Sequence, residues 1–278
     1  MQDLVTTAWL ACELGADDLT VLDASWHMPG VNRAARAEYE ERHIPGARFF
    51  DIDAISDHDA GSPHMLPSAE QFASAMRDLG VRQDDRIVVY DNSDLRTAAR
   101  GWFMLRHFGV ASVAILDGGF GKWLAEGRPV ESGYPPEREG RFGAAPASER
   151  VVHKAELLGG CGLPILDARG TARFEGSEKD PRHGVAAGHI PGARNIPYAA
   201  VYRADGTFKS PGELRALFAE AGADPDQPFV ASCGSGVTAN SLIFAAHLLG
   251  NDRTRLYDGS WSEWGSDPDT PKALGPAN

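Results

Sequence analysis

The sequence predicts an α/β protein of two tandem units, each a parallel sheet flanked by helices. Three observations carry that expectation. Short motifs recur in the same order along the chain, short apolar runs alternate with helix-like stretches, and a Gly-, Pro- and charge-rich segment divides the two sets. A chain of 278 residues has room for two domains of ordinary size. Its 42% hydrophobic and 24% charged residues suit a globular protein with well-filled cores.

The repeat is read first because it decides the architecture. Val21-Leu22-Asp23-Ala24 returns 144 residues later as Ile165-Leu166-Asp167-Ala168, and His43-Ile44-Pro45-Gly46-Ala47-Arg48 returns 146 later as His189-Ile190-Pro191-Gly192-Ala193-Arg194. Asp117-Gly118-Gly119 with Trp123 returns 141 later as Asp258-Gly259-Ser260 with Trp264. One such match could be chance, but three in order at nearly one offset mark a tandem duplication. The join lies near residues 124–150, and we set the domains at 1–138 and 139–278. Within each half, Thr20–Asp23 and Pro164–Asp167 read as buried strands, as do Arg86–Tyr90 and Pro228–Ser232, and Val113–Leu116 and Thr254–Tyr257. Helix-like stretches follow at Thr97–Phe108 and Thr238–Leu249. Strands separated by helices imply parallel sheets, with a site beyond the strands' carboxyl ends.

The formal net charge of −12 argues against a general nucleic-acid binder or a polybasic membrane-surface protein. An anionic substrate would need arginines to make a local positive site. No apolar run approaches the roughly 20 residues of a membrane span. The start MQDLVTTAWLACELG has neither a signal-peptide nor a transit-peptide pattern, so a cytoplasmic location is expected. Cys12, Cys161 and Cys233 are too few and too scattered for a disulfide framework, and no Cys/His spacing suggests a metal.

Duplication also supplies an internal control, because folding needs are shared between halves and chemistry need not be. The strand ending at Tyr90 leads into Asp91-Asn92-Ser93-Asp94-Leu95, whereas its partner leads into Cys233-Gly234-Ser235-Gly236-Val237-Thr238-Ala239. Asp91 thus stands where the second half has Cys233, and one reactive thiol is expected. Gly234 and Gly236 permit positive φ and let backbone N–H groups turn inward. With the helix N-terminus they favour a thiolate or persulfide anion. Ser235 and Thr238 can donate hydrogen bonds to the sulfur or to a substrate. Cys12, in an Ala/Leu stretch, and Cys161, among glycines, read as structural or incidental. His43 and His189 occur in both halves and read as holding a shared turn, and the duplicated Arg48 and Arg194 read as structural.

These motifs resemble the two-domain sulfurtransferases of the rhodanese superfamily: LDA and HIPGA in each half, the CGSGVTA loop, and LDGGFGKW and YDGSWSEW closing the halves. The resemblance spans essentially the whole chain. It implies two rhodanese-like domains, the second catalytic, with the active site in a cleft between them. Members that use thiosulfate carry basic side chains just after the cysteine. Gly234 and Ser235 here resemble instead the branch whose donor is 3-mercaptopyruvate. By the same resemblance Arg173 and Arg182 hold the substrate's carboxylate and ketone, a task suited to guanidinium forks. Ser235, His64 and Asp53 match a proposed Ser–His–Asp set, and Gly234, Gly236, Val237 and Thr238 match the substrate-binding loop.

The expected reaction carries sulfur as a Cys233 persulfide to cyanide, a small thiol or a thioredoxin-like protein, releases pyruvate, and needs no cofactor or metal. A thiosulfate sulfurtransferase is the nearest alternative, and a non-catalytic sulfur-carrier or regulatory module a more distant one. A phosphatase would need an arginine closing the cysteine loop, and Ala239 occupies that place.

Overall fold

The computed structural model describes residues 1–277. They form two compact units. One comprises Met1–Ser56, Pro67–Ala147 and Arg203–Phe208; the other comprises Asp57–Leu66, Ser148–Tyr202 and Lys209–Asn278. Each unit has one five-stranded, all-parallel sheet. The first is made of β1 (Leu4–Val5), β2 (Leu19–Asp23), β3 (Arg48–Phe49), β4 (Arg86–Tyr90) and β5 (Val113–Leu116), in the order β1-β5-β4-β2-β3. The second is made of β6 (Val151–Val152), β7 (Ile165–Asp167), β8 (Arg194–Asn195), β9 (Val230–Ser232) and β10 (Arg255–Tyr257), in the order β6-β10-β9-β7-β8. The two orders are the same topology repeated.

The expected strand pairs are the three central strands of each sheet. Burial on both faces explains their continuous apolar runs: Ile87, Val88, Val89 and Tyr90 are fully buried, as are Val230 and Ala231. The edge strands are only two residues long, too short to show a period. The helices Ala98–His107 and Ala239–Leu248 follow β4 and β9 as expected. Trp123 in the first core and Trp261 in the second are buried, each contributing about 1.5–3 kcal/mol or more through its apolar surface.

Residues 139–147 pack with the first unit. Arg141 pairs its backbone with Val81 and Gln83, and the amides of Ala145 and Ala147 bond the carbonyls of Phe108 and His107. Each unit also contains one short segment from the other half of the sequence. Leu66 donates its amide to Asp258 at 2.6 Å within the second unit, and Phe208 donates to Asp117 at 2.8 Å within the first. Leu66 and Phe208 are 142 residues apart, so these arms are themselves equivalent. Composition reveals a linker, but not which surface a segment covers.

Candidate active site

Cys233 directly follows β9 and begins the turn into the helix Ala239–Leu248. It is buried, and its surroundings are set by Ser260. The Ser260 hydroxyl accepts the N–H groups of Cys233 and Gly236, both at 3.1 Å, and its Oγ lies 3.9 Å from the sulfur. Its one proton can go to the Tyr257 carbonyl at 2.8 Å or to the sulfur. Ser260 has φ of +50°, a left-handed conformation that costs a non-glycine residue energy and concentrates at functional sites. The equivalent Gly119 has φ of +57° and no hydroxyl.

The two loop glycines do different jobs. Gly236 adopts φ of +73°, and a Cβ there would come within 2.6 Å of the Asp258 carbonyl. Gly234 is not left-handed; its missing side chain makes room for Arg182, whose Nη2 would lie 3.3 Å from an added Cβ. The Gly236 amide, expected to turn toward the sulfur, is held by Ser260 instead. The Gly234 carbonyl accepts from the Ser262 amide at 2.8 Å, the Ser262 hydroxyl at 2.7 Å and Arg182 Nη1 at 2.6 Å.

Arg182 is largely committed within the protein. Its Nε and Nη2 bond the two oxygens of Asp180, both at 2.7 Å, and its Nη1 also reaches Ser262. Burial would raise the Asp180 carboxyl, but hydrogen bonds from Arg182 and the charges of Arg182 and Arg173 hold it below the usual carboxylate range. Arg173 lies in the last turn of the short helix Thr171–Glu175, half-buried. Its guanidinium makes no hydrogen bond or ion pair among the described residues.

Of the expected Ser–His–Asp set, two members meet. His64 Nδ1 and Ser235 Oγ share a hydrogen bond at 2.9 Å, and His64 has φ of +61°. Asp53 belongs to the first unit, in the helix Ile52–Ile55, where its carboxylate accepts the Trp26 indole N–H at 2.8 Å. Val237 is buried, and Thr238 stands at the N-cap position without a side-chain capping bond. Sequence reasoning missed Asp180, Ser260 and Ser262. Ser260 had a signal in the repeat, since it faces Gly119 across the duplication. Asp180 and Ser262 had none.

The Rhodanese-like domain family matches residues 6–126 and 153–267. The chain belongs to the rhodanese family. A 3-mercaptopyruvate sulfurtransferase of Rattus norvegicus is 44% identical over 270 residues, covering 94% of this chain and 91% of that one. A protein of the same name from Escherichia coli strain K12 is 44% identical over 267 residues, covering 95% of each. A thiosulfate sulfurtransferase of Rattus norvegicus is 41% identical, with 94% and 91% covered. Among solved structures, a 3-mercaptopyruvate sulfotransferase from Escherichia coli superposes with a TM-score of 0.85 at 42% identity. That match covers 95% of this chain and 100% of the other. Both rhodanese domains have the fold expected from the sequence.

Proposed function

We propose that this protein is a 3-mercaptopyruvate sulfurtransferase that carries sulfur on Cys233. The observation that carries this reading is a buried thiol at a strand end, beneath the Ser260 hydroxyl, in a loop that offers an anionic donor no Lys or Arg after the cysteine. Ser235 of that same loop shares a hydrogen bond with His64.

In the reaction the Cys233 thiolate attacks the donor sulfur. The S–S bond forms as the donor's C–S bond breaks, and the carbon fragment leaves as the enolate of pyruvate. The proton of the donor thiol passes by way of Ser235 and His64 to that carbon, so the negative charge ends on the persulfide. Asp53 is the third member of this set by the family resemblance. Arg173, with its guanidinium uncommitted, takes the donor carboxylate. Arg182, held by Asp180, supports the loop and adds positive charge beside the carbonyl oxygen. Gly236, Val237 and Thr238 shape the wall of the substrate pocket. Cyanide, a small thiol or a reduced thioredoxin-like protein then removes the outer sulfur. No helix among the described residues is long and apolar enough to cross a membrane.

The test is pyruvate release from 3-mercaptopyruvate against sulfite release from thiosulfate, with the intact mass followed for one added sulfur. Preference for 3-mercaptopyruvate and a sulfur lost on Cys233→Ser are expected. Faster sulfite release would move the protein to the thiosulfate class, to which relatives at 41% and 42% identity belong. Basic residues at positions 234 and 235 should raise thiosulfate use; an unchanged preference would mean that the loop does not set the donor.

A further inference from the structure

The first unit contains a cavity of about 230 Å³ bounded by Gly15, Ala16, Thr20, Gly46, Arg48 and Arg138, with Asp17 also at its wall. Its charge arrangement has no counterpart in the second unit, and the duplication shows how it arose. Arg48 and Arg194 hold the same place in β3 and β8. In the second unit the Arg194 guanidinium lies over Gly222, where an added Cβ would be 3.3 Å from Nη1. The equivalent Gly80 is covered differently: the backbone carbonyl of Arg138 would lie 2.6 Å from its Cβ. The connecting segment thus occupies the space that the arginine fills in the other half. Arg48 is turned to the cavity wall, where its single side-chain hydrogen bond among the described residues runs from Nη2 to the Pro136 carbonyl at 2.8 Å.

The same segment delivers a second guanidinium. Arg138 bonds both oxygens of buried Asp85, at 2.8 and 2.7 Å, and also the Thr20 hydroxyl at 2.8 Å and the Asp17 carbonyl at 3.0 Å. Asp85 further accepts from Thr20 and from the Arg82 amide, so its capacity is used on Arg138. Arg48 is therefore left without a directly bonded carboxylate, and the other acid at the wall, Asp17, is exposed and makes no ion pair among the described residues. Burial and the neighbouring Arg138 charge both push the Arg48 guanidinium down from its ordinary value. A partly desolvated cation without a counter-ion, in a protein of net charge −12, favours an anion from solution.

We infer that this cavity is a binding site for a small oxyanion, carboxylate or tetrahedral, held by Arg48 with Arg138 behind it. A volume of about 230 Å³ holds several waters' worth of ligand, at about 30 Å³ each, but not a nucleotide or a peptide. The site is separate from Cys233 and does not depend on the proposed reaction.

The test follows the amide resonances of Gly15 and Gly46, which line the cavity, during titration with pyruvate, sulfate and chloride at fixed ionic strength. Saturable shifts with pyruvate or sulfate are expected, with affinity weakened about tenfold or more by Arg48→Met, which keeps the aliphatic stem. Saturation by pyruvate alone identifies a carboxylate site, and by sulfate alone a tetrahedral-anion site. If Arg48→Met fails to fold, Ala16→Glu supplies an internal carboxylate at the wall and should abolish the shifts instead. Equal response to chloride, non-saturating shifts, or unchanged affinity in the folded variant would overturn the assignment.

Discussion

Asp23 closes β2 and Asp167 closes β7, at equivalent positions in the two halves, but their partners differ. Asp167 is paired with Arg169, whose Nη2 lies 2.6 Å from Oδ2, whose guanidinium stacks over Trp261, and which also bonds the Gly188 carbonyl. Two residues after Asp23 stands Ser25, which donates its amide at 2.9 Å and its hydroxyl at 2.5 Å. Burial then dominates, and the Asp23 carboxyl is pushed up to about 6. The reactive position differs in the same way. Asp91 stands in the place of Cys233, caps its own turn through the amides of Ser93 and Ala98, and is also raised by burial. The first half thus tolerates, at Asp23 and Asp91, buried carboxyls raised above their ordinary range, because its loop only has to join a strand to a helix. In the second half Asp167, and Asp180 beside the reactive loop, are each paired with an arginine.

Moving the reactive residue is the strongest way to break this comparison. Cys233→Ser should reduce turnover to background with folding intact. Adding Asp91→Cys to that variant should not restore sulfur loading, because position 91 is followed by Asn92-Ser93-Asp94 in place of Gly234-Ser235-Gly236 and Gly119 adds no hydroxyl; a persulfide there by mass spectrometry would erase the distinction between the halves. Next in size is Arg169→Ser, which copies the first half's arrangement and leaves Asp167 buried without its cation. A loss of about 3–5 kcal/mol in denaturant unfolding is expected.

A third prediction concerns pH. The Asp23 carboxyl keeps its proton in the folded state up to about pH 6, above its ordinary value of 3.8. Its contribution to stability is therefore complete below about pH 4 and is lost as pH rises through 6, by up to roughly 3 kcal/mol. Asp23→Asn should remove that dependence, so the variant should gain on the wild type between pH 5 and 7. Parallel stability profiles would show that Asp23 is not held protonated. The smallest effect is Ser260→Gly, which copies Gly119 and suits the backbone at φ of +50°. A fall in turnover of roughly tenfold with KM unchanged is expected, the loss being that of one hydrogen bond to a charged sulfur.

How much was legible follows from which forces act locally. β2, β4, β5 and their counterparts are legible because strands buried on both faces must be apolar throughout, and Cys233 because the repeat supplies Asp91 as its control. The edge strands β1, β3, β6 and β8 each have two residues, and tertiary pairing alone defines them. Asp180 and Ser262 are invisible in sequence because their roles depend on where Arg182 points. Arg48 and Arg194, identical in their motif, read as one structural feature, and only the path of residues 136–138 separates them.

The arms that end at Leu66 and Phe208 have a consequence for assembly. Each fills a hydrogen bond to an aspartate, buried Asp258 or half-buried Asp117, in the unit to which the other half contributes most of the chain. A polypeptide carrying one repeat alone would hold the acceptor and the donor arm, but in a geometry that satisfies a neighbour. Two such copies would complete each other by reciprocal exchange, as a twofold dimer does. The tandem chain makes that exchange intramolecular, so the pairing that holds His64 beside Ser235 is independent of protein concentration.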